Sequence, residues 1–339
     1  MSLTLATAPP EDWTTLARDA VQRPEFAEAG RHLGYRPYYV ARDGAAALVQ
    51  IRDPLPMLGL LARAYVYPSG EDAAFLGDLL AALARRRIPF VRIGNTMWGT
   101  RRRDSLTIPG RRTTVIPRHT PVLDLGRDER ALLAAMDGAE RKIRKAEREG
   151  VEVTEARSLG DIEAYHRLSC ATADRIRSRA TFTELPLNFF VEVWRRMVPQ
   201  GHARFLLARH RGELIAGSLF LIHGDTMLYY QGASTRDRAQ TLRQAPAACF
   251  WAAIRAAKLL GLARFDFGGC TPDAEPGDPR HGVWEFKKKW GGTLVTFYNA
   301  EIVLAPRVVA LQERLVAPLW QHVHPLLWRL AGRPAPSAA

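Results

Sequence analysis

Arg264 to Gly292 reads R-F-D-F-G-G-C-T-P-D-A-E-P-G-D-P-R-H-G-V-W-E-F-K-K-K-W-G-G. It opens as a short buried strand, Phe265 to Phe267, ended by the glycine pair Gly268 and Gly269. A Pro/Gly/Asp-rich connector follows, and then three consecutive lysines stand between Phe286 and Trp290. Lysine runs belong in water, whereas these rings favour burial. An aromatic frame can hold one ammonium partly dry, where it binds or polarises an anionic or carbonyl oxygen. The plain alternative is a basic loop leading into a last strand, Thr293 to Ala300.

The surrounding chain is long enough for two domains. Its 339 residues are 47% hydrophobic and 24% charged, the composition of a soluble globular protein. No apolar run reaches the ~18 residues of a membrane span, and the N-terminus lacks a signal-peptide pattern. Cys170, Cys249 and Cys270 lie far apart with no clustered histidines, so neither a disulfide framework nor a metal site is expected, and a reducing cytoplasm fits. Lys and Arg number 48 against 35 Asp and Glu, a net charge of +13. Such a field favours nucleic acid, phosphorylated substrates or an acidic membrane surface without choosing among them. A GC-rich genome would also enrich arginine.

Before that stretch, the chain reads as two successive α/β units. Tyr38 to Ile51 is a hairpin turning at Asp43-Gly44, Ala64 to Tyr67 a strand, Asp72 to Arg86 an amphipathic helix and Phe90 to Ile93 a strand. Arg101 to Arg118 is expected as a basic loop and Thr120 to Leu125 as a closing strand. A single helix then covers Glu129 to Arg148, with Arg141, Arg144, Lys145 and Arg148 on one face, and Gly150 marks the domain boundary. The second unit begins with a strand at Val151 to Glu155 and a helix opened by Ser158 and Asp161. Arg175, Arg177 and Arg179 follow in a polar segment, then a helix from Leu187 to Met197. A meander through Tyr229, Tyr230 and Gln231 leads to a helix with Pro246 in its first turn. From Pro306 to Leu330 a helix kinked at Pro318 and Pro325 packs back on the domains, its Trp320 and Trp328 also suiting a membrane interface. A frayed tail follows.

Two tandem units of this kind, with mixed and largely antiparallel sheets, look like a pair of acetyltransferase-like (GNAT) domains. Five motifs go further: R-K-I-R-K-A-E-R-E-G-V from Arg141, T-A-D-R ending at Arg175, Y-Y-Q-G-A-S from Tyr229, F-D-F-G-G from Phe265 and G-V-W-E-F-K-K-K-W-G from Gly282. In this order they resemble the Fem family, the aminoacyltransferases that build peptidoglycan interpeptide bridges. The motifs span Arg141 to Gly292; before Arg141 the likeness is architectural.

The resemblance implies transfer of an aminoacyl group from aminoacyl-tRNA to the side-chain amine of a muramyl-pentapeptide precursor, UDP-linked or as lipid II, with no further cofactor. The enzyme would be a cytoplasmic monomer touching the inner membrane face at most. By the same resemblance Phe286 and Lys287 are the catalytic pair, the lysine stabilising charge on the ester carbonyl. Arg175 would grip the precursor's phosphates, with Tyr229, Tyr230, Gln231 and Trp284 lining the same cleft. Arg141, Lys142, Arg144 and Lys145 would serve the precursor or the tRNA. Asp266 and Glu285 are the candidate proton acceptors. Two features depart from the family: there is no room for a coiled-coil arm between Arg175 and Gly269, and Trp290 stands where Phe is common.

An acetyl-CoA enzyme is the first rival; it would need a glycine-rich diphosphate loop, and Ser234 to Pro246 has no glycine. A non-catalytic basic RNA- or envelope-binding protein is the second. His166, Ser169 and Cys170 share a helix but lack oxyanion-hole glycines, which favours a structural role.

Overall fold

The computed structural model describes residues 3–53, 62–70, 72–94, 112–175, 184–235 and 243–312, with 237 and 314. Two short helices, α1 (Trp13–Leu16) and α2 (Pro24–Ala29), precede the hairpin of β1 (Tyr35–Arg42) and β2 (Ala45–Arg52). Strand β3 (Arg63–Pro68) continues the antiparallel sheet, and helix α3 (Ala73–Arg85) crosses over to β4 (Phe90–Ile93), parallel to β3. Asp72 caps α3 by accepting from the Phe75 N–H at 2.9 Å. The helix stripe Phe75, Leu79, Leu80 and Leu83 is buried against Val49, Val66, Val91 and Ile93 of the sheet.

Strand β5 (Arg112–Asp124) begins where a loop is expected. Its opening residues Thr113 to Ile116 are β-branched, and strand β11 (Thr293–Val303) pairs with it along its length, Thr293 opposite Val122 and Val303 opposite Arg112. The rest of the expected loop, Arg101 to Gly110, lies outside the described residues, as do Arg111, Arg177 and Arg179. The single helix expected over Glu129 to Arg148 is two, α4 (Glu129–Ala134) and α5 (Ala139–Arg148). Gly138 separates them at φ 76°, a left-handed conformation in which a helix cannot continue.

The second half holds β6 (Glu152–Glu155), α6 (Leu159–Arg175), α7 (Leu187–Met197), β7 (Ala203–His210), β8 (Glu213–His223) and β9 (Thr226–Ser234). The box at the head of α6 forms: Ser158 Oγ accepts from the Asp161 N–H while the Asp161 carboxylate accepts from the Ser158 N–H. Helix α8 (Ala245–Leu259) carries the chain over to β10 (Arg264–Asp266), parallel to β9. Helix α9 (Pro279–Lys287), a 3₁₀ turn over Lys288–Trp290, β11 and α10 (Pro306–Leu311) are the last elements among the described residues. Trp320, Trp328 and the two kinking prolines fall outside the described residues.

The described strands all join one mixed, mostly antiparallel sheet, in the order β1-β2-β3-β4-β11-β5-β10-β9-β8-β7-β6. The line expected at Gly150 meets no break in it. Strand β11, late in sequence, pairs with β4 of the first half, while β5 pairs with β10 of the second. Ala139 and Ile143 of α5 share a core with Phe250 and Trp251 of α8. The opposite face of β7 to β9 is covered by α6 and α7.

Phe250 is the hub of the second core, with ring centroids 4.6 Å from Tyr229, 5.8 Å from Phe267, 5.2 Å from Phe286 and 5.4 Å from Trp290. Phe250→Ala is expected to cost about 3–5 kcal/mol of stability, since the surrounding rings cannot close the void. Urea unfolding followed by fluorescence measures this; a loss below about 1 kcal/mol would show that the cluster relaxes.

Candidate active site

Lys287 is the last residue of α9 and is only 5% exposed. Its Nζ donates to the carbonyl oxygens of Gly268 at 3.0 Å and Gly269 at 2.8 Å, the glycine pair that ends β10. It also lies 5.3 Å from the centroid of the Tyr229 ring. The frame is therefore not Phe286 and Trp290. Those two rings, 6.0 Å apart, turn into the Phe250 cluster and anchor the turn that presents the lysine.

Gly268 makes the cradle possible. It sits at φ 72°, and a Cβ there would come within 2.7 Å of the Tyr229 carbonyl oxygen. Asp266, fully buried two residues earlier at the end of β10, accepts from Thr120 Oγ1 and, at 2.7 Å, from the Gly268 N–H. Its Oδ2 has no hydrogen-bond partner among the described residues. Burial pushes this carboxyl up to about 6, against the pull of Thr120, Gly268 and Lys287. Burial also pulls Lys287 down to about 8, with Cys270 and Asp266 opposing.

A cavity of about 920 Å³ opens beside this cradle. Tyr35, Gln50 and Tyr67 of the first half line it together with Tyr229, Tyr230 and Gln231 of the second. Lys287, Phe286 and Arg175 also face it. Arg175 reaches the end of β9, donating to Thr235 O and Ser234 Oγ, each at 3.3 Å. Tyr230 packs edge-on against Phe26 at 5.4 Å, and burial raises both tyrosine hydroxyls well above their usual range.

The other expected residues lie elsewhere. Trp284 and Glu285 are on turns of α9 that face away from the cavity, and Glu285 pairs with Lys288 at 2.5 Å, which lowers its carboxyl. Arg141 is exposed and Arg144 pairs with Glu140 on the outer side of α5. Lys142 lies 5.7 Å from the Phe286 ring centroid, outside the cavity lining, and Lys145 is half-buried nearby on the same helix. Helix α9 itself was not expected, although Asp278, which accepts from the Arg280 N–H at 2.8 Å, and Pro279 at the first helical position are its start signal. Arg118, Phe297 and Asn299 also line the cavity, and their roles are not readable from local sequence. No group of three or more potential metal ligands occurs among the described residues.

The fold, two successive α/β units sharing one mixed and mostly antiparallel sheet, is similar to that of tandem GNAT proteins. Residues 135–288 match the family model described as the acetyltransferase (GNAT) domain. A tandem GNAT protein from the clavulanic acid biosynthesis pathway shares the fold at a TM-score of 0.50 and 13% identity, over 89% of this chain and 99% of that one. The crystal structure of FemX is similar over 90% of this chain and 98% of its own, with a TM-score of 0.71 and 16% identity. The Lipid II:glycine glycyltransferase of Staphylococcus haemolyticus (strain JCSC1435) is 30% identical over 87 residues, 25% of this chain. That match spans 20% of the relative's length. The resemblance to the Fem family carried by the five motifs is borne out.

The lowered Lys287 predicts a pH signature. Between about 8 and 10.5 the unfolded chain holds this proton while the folded chain has released it, so stability rises with pH across that window. Relative to Lys287→Met, the wild type is expected to gain about 3 kcal/mol from pH 7 to 10.5. Urea unfolding at both pH values measures the difference, and parallel behaviour of the two proteins would refute it.

Proposed function

We propose that this protein transfers an aminoacyl group from aminoacyl-tRNA to the side-chain amine of a muramyl-pentapeptide peptidoglycan precursor. The observation that carries this reading is the Lys287 ammonium, buried at the wall of a cavity whose described lining contains no carboxylate. The precursor, as lipid II or UDP-linked, brings a diphosphate, and Arg175 is the group assigned to it. The likeness of a quarter of the chain to a Lipid II:glycine glycyltransferase supports the acceptor class. Among the described residues no helix is long and apolar enough to cross a membrane, so a lipid-linked acceptor would be met at a surface.

In the proposed step the acceptor amine attacks the ester carbonyl of the charged tRNA. The new C–N bond forms as the carbonyl electrons move onto oxygen. Two Lys287 N–H groups are committed to Gly268 and Gly269, which aims the remaining one at that oxyanion. Collapse of the intermediate breaks the C–O bond to the ribose, whose oxygen leaves with a proton. The amine's own proton needs an acceptor. Neither expected acceptor lines the cavity, since Asp266 is fully buried outside it and Glu285 is tied to Lys288, so that proton is the one the departing ribose oxygen takes. A CoA donor lacks the expected glycine loop before α8.

Incubation with charged tRNAs and a muramyl-pentapeptide precursor is expected to add one aminoacyl mass to the precursor. Lys287→Ala is expected to slow this by about 100-fold or more while sparing precursor binding. Undiminished turnover would refute the lysine's role, and acylation only when acetyl-CoA is supplied would replace the donor. Arg175→Ala is expected to weaken precursor binding by about 1.5–3 kcal/mol, read by calorimetry.

A further inference from the structure

Arg118 is a cation without an assigned task. It stands on β5 at the wall of the cavity, and none of the ion pairs or side-chain hydrogen bonds among the described residues involves its guanidinium. Its side chain reaches toward Gly269: a Cβ built on that glycine would lie 3.7 Å from an Arg118 Nη. Lys287 donates to the carbonyl of the same residue, so the two cations converge on one glycine. Burial, and after it the charge of Arg92, act against the Arg118 guanidinium, with Cys270 opposing and no carboxylate paired to it among the described residues.

The neighbouring strand supplies a second unmet group. Arg118 pairs with Phe297, and Asn299 lies two residues further along β11 opposite Ile116. All three residues line the cavity, on the same face of the sheet. The Asn299 amide oxygen is buried and has no hydrogen-bond partner among the described residues. A guanidinium fork asks for a planar anion, and an amide oxygen beside it asks for an N–H donor. A peptide carrying a free carboxylate offers both. A phosphate offers only the first, and the phosphate-binding role already falls to Arg175 at the end of β9.

We infer that Arg118 and Asn299 form a peptide-carboxylate subsite next to Lys287, which reads a free carboxyl of the acceptor peptide while Asn299 accepts from a neighbouring peptide N–H. The identity of the ligand as a muramyl peptide rests on the proposed function. In that setting the subsite fixes the peptide so that its side-chain amine enters beside the lysine, and it selects acceptors by the state of their carboxyl groups. Arg118 is then a substrate-binding residue on the acceptor side, separate from the group that stabilises the developing charge.

Calorimetric binding to wild type, Arg118→Gln, Arg118→Lys and Asn299→Ala tests this, using the UDP-linked muramyl pentapeptide and versions with each free carboxyl converted to the amide in turn. The sugar nucleotide without peptide is the control. One amidation is expected to weaken wild-type binding by about 10- to 100-fold, and Arg118→Gln is expected to lose that discrimination while binding the peptide-free nucleotide like wild type. Arg118→Lys is expected to restore only part of it, because an ammonium lacks the fork. Asn299→Ala should weaken all peptide forms and leave the nucleotide alone. If Arg118→Gln weakens the peptide-free nucleotide equally, the anion is a phosphate and the proposal is overturned. Indifference of the wild type to every amidation, or failure to bind any of the ligands, overturns it as well. The same samples given charged tRNA separate the two readings. Transfer without carboxyl discrimination leaves the proposed function standing alone, and Arg118-dependent discrimination without transfer leaves the subsite standing alone.

Discussion

The pairing of β5 with β11 is the constraint on which the rest of the molecule depends. It joins segments far apart in sequence, His119 opposite Thr296 with their side chains in contact at 2.9 Å. On one side of this seam β11 completes the first half through β4, and on the other β5 completes the second through β10. A continuous sheet is the result, and the cavity lies across its middle. The groups around the ammonium are placed by this seam or by a neighbour of it, whereas Arg175 comes from the end of α6. Lys287 comes from the helix that leads into β11, the glycine cradle from the end of β10, and Arg118 from β5.

The second dependence is electrostatic. An ammonium cannot stay buried without oxygen partners, and the glycine pair supplies them as backbone carbonyls rather than as a carboxylate. Carbonyls hold the ammonium by dipole alone and leave its charge uncancelled. A salt bridge would have quenched the field that the cavity directs at a ligand. Asp266 is close enough to oppose the lowering of the lysine, but its hydrogen bonds are to Thr120 and Gly268, both through Oδ1. The aromatic cluster centred on Phe250 keeps water from the back of this arrangement.

Much of this was legible in the sequence, for reasons that differ by element. The hairpin at Asp43-Gly44, the amphipathic helix beginning near Asp72, the box at Ser158 and the helix over Leu187 to Met197 depend on residues a few positions apart, so local chemistry suffices. A lysine run between aromatics is itself anomalous and points to one buried ammonium, and the family resemblance picks Lys287 out of the three. The aromatic frame was misassigned: neighbours in sequence need not be neighbours on a turn, and Tyr229 reaches the ammonium from another strand. The loop expected up to Arg118 is partly strand because its partner strand arrives far later in the chain. Arg118 and Asn299 were invisible for the same reason, since nothing near either residue reveals that strand register sets them on one wall. Helix α9 was readable and missed; its Asp-Pro start was taken as one more breaker in a Pro/Gly-rich stretch.

The late return of β11 also has a kinetic consequence. The inner edge of β4 stays without its strand until the last part of the chain is available, and β5 waits for the same segment. Closing so large a loop is entropically slow, and the waiting edges are sticky. Cutting the gene at Gly150 would therefore release two fragments with complementary raw edges rather than two self-sufficient modules. Such fragments are suited to reassembling with each other and poorly suited to standing apart.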